Sequence, residues 1–446
     1  MPLPRRVLMI SLVVVALGLV IFLSWQGALH GPFLFDDLPS IVQSPNVRRP
    51  DSLWEAAWAP PGSGANARPL VALSLAANHA LGGLDTFGYH LFNVVVHFLC
   101  AVVLCDLARR LSNSLLFGFS VALVWSVHPL VTDAVNSVIG RNELLVALFG
   151  LIFLDAAQAG FERMSIERQA RGCFLLCIAS AFAAALCKEI AFVFPFLALI
   201  LKQSQHPGVT WRSTRGFLSG LTAATWVPLA LLVFFGERGA SVGMEAATVS
   251  SFDYLRTQGP AVMTYIANAL VPSSLVADYG TWSDSSPAML QDWQAALELL
   301  ILLIGSAAGA LRAQSQHVRA AAFAALSGFL WLAPSSSLVP LAGEIAAEHR
   351  FYLPAAAVVV AVLGAVWKLL SIFFVQRPEM RLKLGAVLLV ALVSVNVVAT
   401  RSRNVTWQSA LAFWGDVVDK QENNLRARNS YGVALAANGQ SKEAEE

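Results

Sequence analysis

The sequence predicts an all-α protein that crosses a membrane many times. Three observations carry this expectation. Hydrophobic residues fill 57% of the 446 positions and charged residues only 13%, where a soluble domain has about 25% charged. The apolar residues run on for span-length stretches. The basic residues collect in alternate, short connections between those stretches.

A crossing needs roughly 20 apolar residues. Eleven segments meet or approach this, at about 7–29, 87–107, 114–132, 143–159, 172–187, 190–201, 216–236, 293–311, 320–338, 351–371 and 384–400. The pair 172–187 and 190–201 is short and fits tilted or partly inserted helices. The first segment follows Arg5 and Arg6 and resembles a signal peptide. It is long for one, and no small-x-small cleavage site follows it, so it reads as a retained span anchored inside. With the N-terminus inside, the inner loops hold Arg109 and Arg110, then Arg163, Arg168 and Arg171, then Lys202, Arg212 and Arg215. Further along they hold Arg312 and Arg319, then Arg377, Arg381 and Lys383. Eleven crossings put the C-terminus outside. The 12 Trp suit interfacial belts, and a net charge of +2 gives no case for nucleic-acid binding. Cys100, Cys105, Cys173, Cys177 and Cys187 all fall in or beside apolar runs and read as small packing residues.

Three outer segments are long enough to build something. The first, about 30–86, holds Asp36 and Asp37, a short interfacial helix around Ser52–Trp58, and Arg68-Pro69-Leu70. The second, about 237–292, contains the apolar stretch Gly259–Val271, which reads as a helix in or dipping into the interface. The third, about 335–350, ends in Glu344, Glu348, His349 and Arg350. Residues 1–400 thus form a membrane module. The tail, about 401–446, is an outer-side linker in which Trp407 and Trp414 fall on one helical stripe. Asn429 to Ala444 then reads as helix, turn and helix start, an incomplete tetratricopeptide unit left by truncation or serving as a cap. Asn404-Val405-Thr406 matches the N-glycosylation tripeptide.

Ionisable groups in or beside spans are costly to keep and suggest function. The central stretch is Phe33 to Ser40, with adjacent carboxylates at Asp36 and Asp37 directly after the first span. Such a pair often caps a helix. Mutual repulsion would also raise one of their pKa values, which suits a general base. Arg68 alone reads as snorkelling to the interface. His90, Asn93 and His97 share one helical stripe, better suited to inter-helix hydrogen bonds than to a metal. His128-Pro129 sits at a kink near Asp133. Gly140-Arg141-Asn142-Glu143 opens the fourth span, where helix polarity alone would select Glu143. Lys188 and Glu189 can neutralise each other at a turn. Singly, each residue has such a structural explanation. Together, Asp36, Asp37, Arg68, His128, Asp133, Arg141, Glu143, Lys188, Glu189, Glu348, His349 and Arg350 all fall on one predicted side. Carboxylates to deprotonate a nucleophile and cations to hold a phosphate suit transfer from a lipid-phosphate donor. A transporter more often places its charges at mid-membrane.

At these residues the sequence resembles the transmembrane and tetratricopeptide-repeat O-mannosyltransferases, within the GT-C glycosyltransferases, in a prokaryotic form. The matching stretches are Phe35-Asp36-Asp37, Arg68-Pro69-Leu70, Tyr89 to His97, His128-Pro129, Gly140 to Leu144, Lys188-Glu189 and Glu348 to Pro354. The family's usual Glu is Asp133 here. The resemblance implies a GT-C bundle and a polyprenyl- or dolichyl-phosphate sugar donor, most plausibly mannose. It implies inverting transfer to a Ser or Thr hydroxyl of a secreted or membrane protein on the outer or lumenal side. No cofactor or divalent metal is expected. Asp36 aligns with the family's acidic base, Asp37 positions the acceptor or shares the proton, and Arg68, Arg141, Lys188, His349 and Arg350 are phosphate candidates, with Arg141 and Arg350 preferred. His128 and Glu348 orient the sugar or the cations, and Glu143 and Glu189 belong to the same donor-binding set. The setting implied is a bacterial inner membrane facing the periplasm, or the endoplasmic reticulum membrane in a eukaryote. The rival readings are a GT-C enzyme for another lipid-linked sugar or a lipid acceptor, and a non-enzymatic transporter or scaffold.

Overall fold

A computed structural model describes residues 3–60, 62–235, 250–281, 293–336 and 343–445. The helices that build the bundle are α1 (Leu3–Trp25), α2 (Leu53–Ala57), α3 (Pro69–Gly82), α4 (Thr86–Ser112), α5 (Leu115–Ser126), α6 (Arg141–Ser165) and α7 (Arg171–Ala185). They continue as α8 (Phe194–Gln205), α9 (Trp211–Phe235), α10 (Ser251–Leu270), α11 (Trp293–Arg312), α12 (Gln316–Leu332), α13 (Ala355–Phe373) and α14 (Pro378–Val405). The tail adds α15 (Ala410–Lys420), α16 (Leu425–Ala437) and α17 (Ser441–Glu445). Short helical turns lie at Leu38–Val42, Pro129–Val131, Thr132–Asn136, Glu189–Val193 and Glu348–Phe351. No β-strand occurs among the described residues.

All eleven apolar segments carry helix, but they are not eleven equal spans. Seven described helices are long and apolar enough to cross alone: α1, α4, α6, α9, α11, α13 and α14. An eighth crossing forms if α5 is joined to Pro129–Asn136 across a 56° bend. That bend falls at His128-Pro129, where proline removes a backbone donor. Of the eleven candidate segments, seven or eight thus meet the length and hydropathy of a full crossing among the described residues. At 1.5 Å per residue, α7 (15 residues) is about 22 Å long and α8 (12 residues) about 18 Å, against a hydrocarbon core of about 30 Å. The chain is a multi-pass membrane protein.

Two outer helices differ from expectation. Residues 69–82 of the first outer segment, for which no helix was expected, form α3, whose Val71, Ala72 and Leu75 are fully buried. Proline at its first position costs nothing there, because the first amides of a helix lack partners. The apolar stretch at Gly259–Val271 is only the second half of α10, which starts earlier because Ser250 accepts a hydrogen bond from the Asp253 amide. The short helix at Ser52–Trp58 does form, as α2, with Ser52 capping Glu55.

The bundle core is stitched by polar groups on α4. His90 bonds the Gly31 carbonyl (3.0 Å), Asn93 donates to the Ser137 carbonyl (2.9 Å), and His97 bridges the Ser126 carbonyl (2.8 Å) and the Tyr352 hydroxyl (2.7 Å). The stripe therefore makes the inter-helix hydrogen bonds its spacing suggested. Asn404 is buried, donating to Ser24 O (3.0 Å) and accepting from Asn136 (2.9 Å). Its amide is spent on packing, which removes the glycosylation reading. A boundary at residue 400 falls inside α14. Trp407 precedes the Ser409 cap of α15, so it shares no helix with Trp414. Both instead pack with Phe413 in one buried cluster.

Candidate active site

The acidic loop is built so that its two carboxylates do different things. Asp37 is buried, and both its oxygens are taken. Oδ1 accepts from the Ile139 amide (2.7 Å) and Oδ2 from the Leu34 amide (3.1 Å). Burial pushes its pKa up to about 7, the amides of Ile139, Leu34 and Val138 oppose this, and Asp36 adds to it. It locks the loop to the start of the fourth span. Asp36, next along, is exposed. Its carboxyl lies above its ordinary range because the surrounding protein strips hydration and because Glu344 faces it. The charges of His349, Arg426 and Arg68 pull the other way.

Phe35 has φ +48°, the left-handed region, which a bulky residue seldom adopts. This backbone turns the next residue outward. A second contact sets the other wall. The Gly64 amide donates to Ser40 Oγ (2.9 Å), and its carbonyl accepts from Arg68 Nη1 (2.5 Å). A Cβ at Gly64 would lie 2.6 Å from Ile139, so only glycine permits this approach. Arg68 is thereby held beside the acidic loop, with Glu189 3.6 Å from its other nitrogen. Lys188 is buried in an ion pair with Glu143.

The opposite wall is the turn Glu348–Phe351. His349 accepts no freedom at Nδ1: Asp133 Oδ2 binds that nitrogen (2.9 Å) and the His349 amide (3.0 Å). Nε2 faces Glu344 at 3.8 Å, and the side chain is 26% exposed. Burial opposes the imidazolium, but Asp133 and Glu344 overcome it and raise the pKa to about 9. His349 is thus a cation at neutral pH. Glu348 points away from this cleft: Oε1 accepts from the Val276 amide (2.6 Å) and the Tyr279 hydroxyl (3.3 Å). Burial raises its pKa to about 8, against the pull of Arg403.

The structure therefore sorts the candidate residues. Asp36, Arg68 and His349 converge with Glu344 and Arg426, and Lys188, Glu143 and Glu189 lie beside Arg68. Arg141 does not face this cleft. It is fully buried, and its guanidinium is used up by Asn93 Oδ1 (3.1 Å), Ser74 Oγ (3.2 Å) and the Tyr89 carbonyl (3.1 Å), over the Phe92 ring. Arg350 is likewise buried, donating to the Glu344 carbonyl (2.7 Å) and carboxylate (3.1 Å). His128 ties the Leu130 amide to the Ala269 carbonyl. In this structure these three hold walls together, and Arg141 and Arg350 are already engaged where phosphate contact was expected of them. Sequence reasoning passed over Glu344 and Arg426 as site residues. Glu344 sits in the same acidic-basic cluster as His349, a signal that was present; Arg426 has no local signal.

Below the turn Glu348–Phe351, an apolar groove of about 760 Å³ opens between α4, α5, α12, α13 and α14. It runs from Leu353 and Pro354 past Trp331, Phe323 and Leu389 to His317 and Lys368 at the other end of these helices.

No family model matches the chain. A Caenorhabditis elegans protein O-mannosyl-transferase is 25% identical over 450 residues, covering 97% of this chain and 61% of that protein. The Drosophila melanogaster protein O-mannosyl-transferase Tmtc3 is 24% identical, covering 92% of this chain and 52% of its own length. The chain thus spans between half and two thirds of the length of these relatives. Among solved structures, the archaeal oligosaccharyltransferase AglB from Archaeoglobus fulgidus, in complex with an inhibitory peptide and a dolichol-phosphate, aligns with TM-score 0.50 at 11% identity, over 89% of this chain and 56% of AglB. That likeness is one of fold. The chain resembles the transmembrane and tetratricopeptide-repeat protein O-mannosyltransferases along almost its whole length, and its fold is similar to that of AglB.

Proposed function

We propose that this protein is an inverting glycosyltransferase that moves mannose from a polyprenyl- or dolichyl-phosphate to a Ser or Thr hydroxyl of a protein. The observation that carries this is the division between the two carboxylates: Asp37 is buried and tied at both oxygens, while Asp36 is exposed toward His349, Glu344 and Arg68. Asp36 takes the acceptor proton. The hydroxyl oxygen bonds to the anomeric carbon as the bond from that carbon to the lipid phosphate breaks, and the electron pair leaves on the phosphate. Its charge needs nearby cations already in place. His349 and Arg68 meet that need, with Lys188 behind them.

The isoprenoid lies in the groove beneath Pro354, whose lining is almost wholly apolar. The helix-turn-helix at Leu425–Glu445 favours a protein acceptor. The name of the relatives, and the dolichol-phosphate and peptide in the AglB structure, support this donor and acceptor class. The basic loops orient the site outward, to the periplasm in a bacterium or to the lumen of the endoplasmic reticulum in a eukaryote.

Purified protein given labelled polyprenyl-phosphate mannose and envelope proteins of its host is expected to label protein, and Asp36→Asn to abolish labelling while keeping its melting temperature. Label in lipid instead would make the acceptor a lipid. Transfer only from another lipid-linked sugar would replace mannose. An Asp36→Asn variant with normal turnover would remove the base from this loop. Folded protein that neither binds nor consumes any lipid-linked sugar would return the chain to the transporter or scaffold reading.

A further inference from the structure

One guanidinium in the tail touches all three outer segments. Arg426, in the first turn of α16, is held by two hydrogen bonds to the buried Asp278 of the second segment (2.8 and 2.5 Å). Its third nitrogen donates to the Gly343 carbonyl of the third segment (3.3 Å). Its carbon lies 4.9 Å from the centroid of the Phe35 ring, in the first segment. Trp414 of α15 packs edge-on against the same ring at 5.5 Å.

Phe35 is the residue in the left-handed conformation, immediately before Asp36. A non-glycine residue there costs of order 1–3 kcal/mol, and it persists only where its surroundings over-determine it. The surroundings here are tail residues. Further bonds fix the tail itself: Lys420 donates to the Leu275 carbonyl (2.8 Å), Asn424 to the Asp278 carbonyl (3.2 Å), and Arg403 pairs with Asp416 (2.5 Å). Arg426 also acts on the charge of Asp36.

We infer that the tail is a strap over the site, in which Arg426 and Trp414 clamp the Phe35 ring and so aim Asp36. Arg426 is a positioning residue, bridging Asp278 and Phe35 without touching the acceptor. This rests on the transferase reading for its kinetic consequences, but not for its structural ones. A second consequence is that any rearrangement of the tail, for example by an acceptor bound along α16, acts on the rate through Phe35.

The experiment compares the full chain with Arg426→Ala, Arg426→Lys, Phe35→Gly and the double variant Phe35→Gly/Arg426→Ala. Arg426→Ala is expected to lower kcat tenfold or more with donor KM within twofold. It should also move the acidic limb of the pH–rate profile upward, because a cation near Asp36 is gone. Arg426→Lys should restore the pH limb and not kcat, since lysine keeps the charge but not the planar, two-pronged grip. Phe35→Gly should lose rate similarly, and the double variant should be no worse than either single change, as expected for partners in one contact. Amide exchange at residues 33–40 should speed up in Arg426→Ala while the spans stay protected. Unchanged kcat and unchanged exchange would overturn the strap, as would fully additive losses. A wild type without transfer in which Arg426→Ala still loosens 33–40 would support the strap and sink the transferase reading alone.

Discussion

On the proposed transferase reading, Asp133 sets the alkaline limb of the pH–rate profile by acting through His349. Asp133 Oδ2 lies 2.9 Å from His349 Nδ1 and helps raise the imidazole from 6.5 to about 9. At about 1.4 kcal/mol per pKa unit, that rise is worth about 3 kcal/mol in favour of the charged ring. Two unit charges at this distance, with an effective dielectric of 20, attract by about 6 kcal/mol, so Asp133 alone is sufficient. Asp133→Asn keeps an oxygen to accept from the His349 amide but loses the charge. Glu344, 3.8 Å from Nε2, remains. If the His349 pKa falls to about 7, the charged fraction at pH 8 drops from about nine tenths to about one tenth. The transfer rate should then fall about tenfold at pH 8 and little at pH 6. The assay is initial rate of label transfer from polyprenyl-phosphate mannose between pH 5 and 10, for wild type, Asp133→Asn and His349→Gln. The variant should shift the alkaline limb downward by about two units, and His349→Gln should abolish that limb. An Asp133→Asn limb that stays near 9, or a uniform loss at every pH, would refute the role of the imidazolium.

Other outcomes follow from the same contacts. Asp37→Asn places an amide nitrogen against one of two backbone donors and leaves it unmet, a loss of about 1–3 kcal/mol readable as a lower melting temperature. Arg141→Met should destabilise by about 1–3 kcal/mol by leaving the buried Asn93 Oδ1 without its donor, with donor KM of the surviving protein unchanged; a raised KM at full stability would return Arg141 to the phosphate. Glu348 and Asp37 have pKa values raised to about 8 and about 7, from 4.5 and 3.8. The folded form holds protons that the unfolded chain has released, so the stability these two groups contribute is fully present below about pH 4 and is lost as pH rises through about 7 to 8. Melting temperatures at pH 5 and pH 8 should therefore converge in Glu348→Gln, and an undiminished gap would contradict the assignment.

What the sequence revealed follows from how local each signal is. Hydropathy is a property of neighbours in the chain, so all eleven apolar segments were visible. Their lengths as helices were not, because the break at His128-Pro129 and the short α7 and α8 depend on what they pack against. The same limit applies to α3, for which no helix was expected: Asn78, near its end, is satisfied by the Gly88 carbonyl only in the fold (3.2 Å). Arg141 shows the limit most clearly. Its acceptors, Ser74, Tyr89 and Asn93, lie about 50 to 70 positions away along the chain. No local pattern says whether a guanidinium is already satisfied. The resemblance marked the stretches, but not which residue in each stretch faces the cleft.

That distinction has a physical basis in the acidic loop. Two adjacent carboxylates cannot both be free bases in one small cleft, since each disfavours ionisation of the other. Here the conflict is resolved by giving Asp37 two backbone amides and no water, and Asp36 open space with cations facing it. Left-handed Phe35 makes the separation possible, because Asp36 and Asp37 then point to different sides of one turn. Asp37 fastens the turn to Ile139 and the fourth span; Phe35 is fastened from above by Trp414 and Arg426. The proposed base, Asp36, is thus held from both sides. Asp36→Asn should remove turnover alone. Asp37→Asn should remove stability first, and turnover only as the loop loosens.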